Sequence, residues 1–182
     1  MKILNLIFIF LLSTLISSCA SLSKEECTLG DWEGIGNSDG LKGLPRKTLS
    51  KHQKACSEYG VTVEKTSYLS GHKSGLKSYC KEENAFQKGL NGERYYNVCS
   101  SKFAKKFNEG KKIFTLSNEL SSVQREIEGY EDQLDNGVNR EQRKVIRREM
   151  RDLKKREKIL IAKLVYLKSK NGQGVEGVFD LL

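Results

Sequence analysis

The chain has 182 residues, with 32 Lys and Arg against 23 Asp and Glu, which gives a formal net charge of +9. Hydrophobic residues make up 37% of the sequence and charged residues 30%, which excludes a protein with many membrane spans and a wholly disordered chain. The length predicts one domain, or one domain with an extension. A single proline leaves room for long, uninterrupted helices.

The first eighteen residues have the three parts of a secretory signal peptide. Lys2 supplies the positive charge, an apolar run covers Leu6 to Leu12, and small residues lead into Cys19. The run is shorter than the roughly 20 apolar residues that a membrane-spanning helix needs. Ile16-Ser17-Ser18-Cys19 resembles the bacterial lipobox, in which the cysteine thiol is acylated and the chain is cut just before it. The alternatives are an ordinary secretory signal and a buried cysteine near a cleavage site.

Acylation at Cys19 predicts a lipid anchor. Three acyl chains, palmitate among them, hold a protein on a membrane far more firmly than a single chain does. Ala20 follows the cysteine, in the place where Asp would retain a Gram-negative lipoprotein in the inner membrane. For a Gram-negative host we therefore expect an outer-membrane lipoprotein on the periplasmic side.

The four other cysteines are Cys27, Cys56, Cys80 and Cys99. An even number of cysteines in an exported protein predicts disulfides, here two, and it allows three pairings. Consecutive pairing, Cys27 with Cys56 and Cys80 with Cys99, is slightly favoured. The competing hypothesis is a zinc site that uses the two histidines, because His52 lies four residues before Cys56 and His72 lies near Cys80. A signal peptide argues for the disulfides.

Residues 19–100 hold all four of these cysteines and most of the glycines and tyrosines, and they predict a small disulfide-bonded helical domain. Helices are expected from about Arg46 to Tyr59, from Ser67 to Cys80, and from Asn84 as a cap to Gly89. The glycine-rich stretch from Gly30 to Gly40 predicts turns or short extended pieces.

Two glycine patterns stand out in this part. Gly71 and Gly75 form a small-xxx-small pair, which predicts close packing of one helix on another. The segments Gly71–Cys80 and Gly89–Cys99 both run from paired glycines through tyrosine to cysteine. Their internal spacing differs, so they are not interpreted as a true repeat.

Residues 101–170 predict an antiparallel helical hairpin, and the fold class is therefore mainly α. Apolar residues recur at spacings of three and four on both sides of a turn at Asp135–Asn139, as in a coiled coil. We expect helices over about 101–135 and 140–169, in a register that places Glu157 opposite Leu116. Residues 171–182 form a glycine-containing tail. Its apolar end is expected to pack back on the hairpin, the alternative being capture by a peptide-binding domain.

The hairpin carries two blocks of opposite charge. Residues 140–158 contain ten Lys and Arg against four Asp and Glu, whereas residues 119–135 contain six Asp and Glu against Arg125. Antiparallel pairing brings these blocks together, so the first interpretation is charge complementarity within the hairpin. The second is an acidic partner such as anionic lipid. No RNA-binding motif is present, so nucleic acid is not expected.

No catalytic constellation can be argued from the residues. Neither a Ser/His/Asp nor a Cys/His arrangement is recognisable, and both histidines are expected to be structural. Asn37, Asp39 and Gly40 resemble part of a calcium loop, but Ile35 and Arg46 stand where acidic ligands belong. We expect no catalytic, cofactor or metal residues. The tyrosines and Trp32 fill a core, the alternative being a groove for glycan or peptide.

The ordered Cys, Trp, Gly and Tyr residues from Cys27 to Cys99 resemble the bacterial lipoproteins of the domain of unknown function 2799 family. The elements of the resemblance include Gly30-Asp31-Trp32, Asp39-Gly40, Tyr59-Gly60, Gly75-Leu76 and Tyr79-Cys80. It extends over about residues 20–135. It implies a small envelope lipoprotein without an assigned activity, and it implies no catalytic residue.

Three functions remain open. The first is a non-enzymatic structural or adaptor protein of the envelope that meets a protein partner, or a second copy of itself, through the hairpin. The second is a module that binds a cell-wall glycan, a peptide or anionic lipid through the aromatic first part. The third is an enzyme, for which a cleft with convergent titratable groups would argue.

Overall fold

The computed structural model describes residues 21–175, and this part of the chain is mainly α, as predicted. The predicted signal peptide and Cys19 lie outside the described residues, as do residues 176–182 with the apolar end of the tail. Within the described part there are seven helices and no strand. The helices are α1 (Lys24–Leu29), α2 (Trp32–Leu41), α3 (Thr48–Ser57), α4 (Lys65–Tyr79), α5 (Glu82–Leu90), α6 (Ser101–Asp135) and α7 (Arg140–Lys170).

The prediction of turns between Gly30 and Gly40 was wrong, because most of this stretch is helix α2. Asp31 caps the helix, its carboxylate accepting a hydrogen bond of 2.9 Å from the backbone N–H of Gly34. The glycines lower the helix propensity of the segment but are needed for packing, as described below. The cap expected at Asn84 was also wrong, because α5 begins at Glu82 and Asn84 lies within it.

The chain divides into two compact units between Tyr79 and Cys80. Unit 1 is described over residues 21–79 and unit 2 over residues 80–175. The change in composition near residue 100 led us to expect the boundary there. Helix α5 instead packs on α6, so the second disulfide and α5 belong to the same unit as the hairpin.

Unit 1 is built on a crossing of α2 and α4 in which the two backbones touch. A methyl group on Gly40 would collide with the carbonyl oxygen of His72, and one on Gly75 would collide with the carbonyl oxygen of Asn37. Gly36 and Gly71 meet the opposite backbone in the same way. Each helix therefore contributes a pair of glycines four residues apart, as the spacing of Gly71 and Gly75 predicted for α4.

Unit 2 repeats this crossing with α5 and α6. Gly89 faces the carbonyl oxygen of Phe107, and Gly110 faces that of Phe86. These contacts correspond residue by residue to those of unit 1. A residue of α2 has its counterpart in α5 49 positions later, as Gly40 and Gly89 show. A residue of α4 has its counterpart in α6 35 positions later, as Gly75 and Gly110 show. The chain therefore contains an internal repeat. The alignment of Gly71–Cys80 with Gly89–Cys99 missed it because it paired the second helix of one copy with the first helix of the other.

Two disulfides are present, Cys27–Cys56 and Cys80–Cys99, which confirms the prediction of disulfide bonds. This is the consecutive pairing. In each unit the bond joins the chain before the first crossing helix to the chain before the second. The chain separations of 29 and 19 residues correspond to about 3 kcal/mol of stabilisation each, from restriction of the unfolded chain.

The hairpin of α6 and α7 has a buried apolar seam. Its core comprises Ile113, Leu120, Val123, Ile127, Leu160, Ile161 and Leu164. The register differs from the predicted one, since Glu157 accepts a hydrogen bond of 3.1 Å from the Gln124 side chain. Gln124 lies eight residues, or about 12 Å of helix, beyond Leu116. Because the apolar positions of both helices recur every seven residues, sliding one helix along the other by one heptad again places apolar positions opposite each other. Apolar periodicity alone could therefore not fix the register.

Among residues 21–175, no helix has the length and apolar character needed to cross a membrane.

Replacing Gly75 by Ala tests the backbone contact. The added methyl group meets the carbonyl oxygen of Asn37, a backbone atom that cannot rotate away. We expect the free energy of unfolding to fall by about 1–3 kcal/mol or more in urea titrations followed by circular dichroism.

The matched control is Gly129→Ala in α6, where an added methyl group has open space around it. This change should raise the free energy of unfolding by about 0.5–1 kcal/mol through helix propensity. Equal stability of Gly75→Ala and the parent protein would contradict the close crossing.

Candidate functional site

A buried polar network joins three helices of unit 1. Asp39 on α2 accepts a hydrogen bond of 2.7 Å from the hydroxyl of Tyr68 on α4, and its carboxylate lies 2.8 Å from Nε2 of His52 on α3. Asp39 is 6% exposed, His52 3% and Tyr68 0%. Each helix therefore supplies one polar group to a shared contact within the unit.

The network continues to Ser21. Nδ1 of His52 lies 3.0 Å from the hydroxyl oxygen of Ser21. Because the Asp39 carboxylate can only accept, Nε2 of His52 carries the hydrogen between them. In the neutral ring, Nδ1 then accepts a hydrogen bond from the Ser21 hydroxyl.

The environment fixes the protonation of two members of the network. Burial raises the pKa of Asp39, but the hydrogen bonds from His52 and Tyr68 outweigh burial and hold it below the ordinary value. Burial, with a further contribution from Asp39, raises the pKa of Tyr68 far above its ordinary range. At neutral pH Asp39 is therefore an anion and Tyr68 keeps its proton.

Sequence reasoning found no Ser/His/Asp arrangement, yet the structure brings Ser21, His52 and Asp39 together. They come from separate segments, and no motif marks them in the sequence. A cavity of about 340 Å³ lies beside them, lined also by Lys42. The order of hydrogen bonds is that of a nucleophile, a base and an orienting carboxylate. The network also has the features of a structural cross-link, because its carboxylate holds three helices together.

The other histidine has a structural contact as well. Nε2 of His72 lies 2.8 Å from the carbonyl oxygen of Leu44, and the ring stacks on Tyr68 with the ring centres 5.8 Å apart. The thiols that a zinc site would use are joined in disulfides. Among the residues that the structure describes, no group of three or more His, Cys, Asp or Glu is placed to hold a metal ion.

The aromatic residues of positions 19–100 are divided between unit 1 and unit 2. Trp32 and Tyr79 are buried in unit 1. Tyr95 in unit 2 packs against Phe103 and Phe107, with ring centres 5.5 and 5.0 Å apart. They therefore fill packed cores within their own units, and Tyr59 is exposed, at 40%.

Helix α7 presents a row of positive charge, which we call the cationic stripe: Arg140, Arg143, Lys144, Arg147 and Arg151. These side chains and Glu141 line an open groove of about 750 Å³. In the described part of the chain, none of the five cations has a carboxylate within the 4.0 Å of an ion pair.

The charge complementarity predicted for the hairpin occurs further along α7. Lys154 pairs with Glu131 at 3.1 Å, and Arg156 pairs with Glu119 at 2.7 Å. The two α6 carboxylates are thus engaged beyond the stripe.

A second surface of α7, which we call the apolar ridge, consists of Val145, Ile159 and Tyr166. These side chains are 58%, 55% and 65% exposed. They are spaced by fourteen and seven residues, so they lie along one side of the helix. The buried Leu160 and Leu164 mark the side that faces α6.

Residues 31–112 match the model of the family described as protein of unknown function (DUF2799). The match includes both glycine crossings and both cysteines of the second disulfide. Comparison with curated proteins and with solved structures gives no match.

Asp39→Asn tests whether the network is structural. Asn has no negative charge, so its side chain accepts weaker hydrogen bonds from His52 and Tyr68 than the Asp39 carboxylate does. We therefore expect the free energy of unfolding to fall by about 1.5–3 kcal/mol. Tyr68→Phe, which leaves Asp39 paired with His52, should cost less. Both values come from urea titrations at neutral pH.

The same pair of proteins has an expected pH dependence. Because folding lowers the pKa of Asp39 from 3.8, the wild-type advantage over Asp39→Asn should be constant well above pH 3.8 and shrink below it. An Asp39→Asn protein as stable as the parent at neutral pH would contradict the structural role. The Ser21–His52–Asp39 chain would then need testing as a catalytic arrangement.

Proposed function

We propose that this protein is a non-enzymatic lipoprotein of the bacterial cell envelope, and that its helical hairpin binds another envelope protein. Cys19 carries the lipid anchor, on the periplasmic side of the outer membrane. The observation that supports the binding role best is the apolar ridge of α7, which is exposed on a helix whose other side is already buried.

The envelope location is supported by the cysteines. The four cysteines of the described part are all joined in disulfides, which persist in the periplasm and are rare in the cytosol. A signal peptide and a lipobox-like segment precede them in the sequence. The two features agree on export, and the lipobox adds the anchor.

The proposal assigns Ser21, His52 and Asp39 to stability. The Asp39 carboxylate is hydrogen-bonded by groups from two other helices, so its geometry is explained without a substrate. The alternative of glycan binding by the aromatic first part is weaker, because Trp32 and Tyr68 are buried.

Palmitate labelling tests the anchor. Cells given an alkyne analogue of palmitate should label the wild-type protein, which should fractionate with membranes. Cys19→Ser should abolish the label and release the protein from membranes, because the acylated thiol is lost.

Cys27→Ser combined with Cys56→Ser is the matched control, since it removes two other sulfur atoms and should keep the label. Labelling that survives Cys19→Ser would refute the anchor.

The spacing of the ridge indicates the kind of partner. Residues that recur at multiples of seven stay close to one side of an α-helix, as in the seam of a coiled coil, and such a seam packs against another helix. Asp152 holds the position between Val145 and Ile159, so the continuous part of the ridge runs from Ile159 to Tyr166. Ile159 and Tyr166 lie one heptad apart, with the exposed Ala162 between them. We therefore propose that the partner contributes a helix.

Crosslinking in cells tests this contact. A photoreactive residue at Lys163, beside the ridge, should capture one recurrent envelope protein. Ile159→Ser with Tyr166→Ser should reduce that capture at least tenfold, because about 1–3 kcal/mol is lost for each buried apolar side chain. The purified pair should then bind in vitro, with the same loss.

Glu128, exposed on α6, the other helix of the hairpin, is the control position for the photoreactive residue. Capture of only a second copy of this chain would replace the adaptor by a homo-oligomer. Capture that is unchanged in the double variant would contradict the ridge as the contact.

A further inference from the structure

We propose that the cationic stripe of α7 binds the phosphate groups of an anionic membrane surface. This contact would be separate from the lipid anchor and from the apolar ridge. It rests on the proposed function in so far as that function places the chain beside a membrane.

The stripe is one continuous surface feature. Arg140, Lys144, Arg147 and Arg151 follow each other at spacings of four, three and four residues, which keeps them on one side of the helix. Over these eleven steps the row extends about 16 Å along α7. All four side chains are exposed, and Arg143 lies beside them in the same groove.

This placement is electrostatically unfavourable within the protein. The first turn of a helix carries a partial positive charge, and Arg140 adds a cation there, beside Glu141. Arg143 and Lys144 follow directly and add two more cations near this end of the helix. Like charges four residues apart, such as Arg143 and Arg147, repel each other. Glu131 and Glu119 of α6 pair with Lys154 and Arg156, beyond the stripe, and within the described residues no carboxylate is in ion-pair contact with a stripe cation. An external anion can therefore supply the compensation.

The chemistry of the groove favours phosphate. Four of its five cations are guanidinium groups, which bind phosphate oxygens through two parallel hydrogen bonds. Glu141 is the one carboxylate in the lining, and no apolar side chain takes part. Recognition is therefore by charge and hydrogen bonding.

The shape of the groove favours an extended surface over a single small ion. The cations are arranged in a line along an open face of the helix, and they do not converge on one point. A line of this kind can contact several headgroups at once. Each Lys or Arg near an anionic membrane contributes about 1 kcal/mol, so the contributions add along the row.

Vesicle binding tests the proposal. The full mature chain carrying Cys19→Ser is mixed with vesicles of phosphatidylglycerol and phosphatidylcholine, or of phosphatidylcholine alone, and sedimented. We expect binding to the anionic vesicles only, falling as salt is raised because the charges are screened. Removing three stripe cations, by Lys144→Gln, Arg147→Gln and Arg151→Gln together, should weaken it on the order of a hundredfold.

The matched control removes three exposed cations that lie away from the stripe, one on α6 and two on α7, by Lys105→Gln, Lys163→Gln and Lys170→Gln together. It has the same net charge as the stripe variant and should retain most of the binding. Equal loss in both variants, or equal binding to neutral vesicles, would overturn the proposal. The proposal would also be overturned if inorganic phosphate, at the same phosphate concentration as the lipid headgroups, displaced the protein from the vesicles. The groove would then be a site for a small ion.

Folding is checked by circular dichroism. The three substituted residues are exposed, so the triple variant should unfold at the same urea concentration as the parent. Because the chain tested has no acyl group, failure to bind vesicles would overturn the stripe contact alone. The anchor and the partner contact of the ridge are measured by labelling and crosslinking.

Discussion

Helices α2 and α4 touch backbone to backbone, and the rest of unit 1 is arranged around that contact. At Gly36, Gly40, Gly71 and Gly75 there is no space for a side chain, so the two helix axes approach more closely than larger residues allow. That approach brings the next layer of side chains into a fixed geometry. Tyr68, on the α4 side of the crossing, reaches Asp39 on α2.

The crossing has a cost that other interactions must offset. Four glycines in two helices each lower helix propensity by about 1 kcal/mol relative to Ala. The Cys27–Cys56 disulfide restricts the unfolded chain, and the buried Asp39 carboxylate joins α2, α3 and α4. Glycine crossing and disulfide recur in unit 2, whereas the polar network does not. Phe103 and Phe107 stand there at the positions equivalent to Tyr68 and His72.

The two copies share one structural scaffold, and each adds different features to it. The scaffold is a pair of helices, crossed at glycine and tied by one disulfide. Unit 1 elaborates it with polar groups in the core, whereas unit 2 extends its second helix into the hairpin. Extension of α6 to 35 residues creates the long surface on which α7 packs.

Helix α7 has three sides with different chemistry. One side is buried against α6 through Leu160 and Leu164, the second carries the cationic stripe, and the third carries the apolar ridge. A helix that only closed a hairpin would need the first side alone, with a mixed polar surface elsewhere. Exposed apolar side chains, and a row of cations that has no ion pair within the described residues, on a helix that is already packed on one side are typical of a surface with more than one contact.

The sequence by itself determined the parts that depend on local pattern. Heptad spacing and the turn at Asp135–Asn139 predicted the hairpin with helix ends within a residue of those observed, because apolar periodicity reports directly on which side of a helix is buried. The even number of cysteines that follow the predicted signal peptide and Cys19 predicted two disulfides. The spacing of Gly71 and Gly75 predicted one half of a close crossing.

Only the tertiary structure decided the rest. Helix α2 forms despite its glycines, because packing on α4 outweighs propensity, and propensity is all that a single sequence displays. The register of the hairpin was set by contacts such as Gln124 with Glu157, since a heptad pattern repeats and cannot choose between shifts of seven. Ser21, Asp39 and His52 meet through folding alone. Sequence complementarity did not show that the stripe lacks ion pairs within the described residues: Glu131 and Glu119 pair with Lys154 and Arg156 instead, and pairing between helices depends on distances that only the folded chain defines.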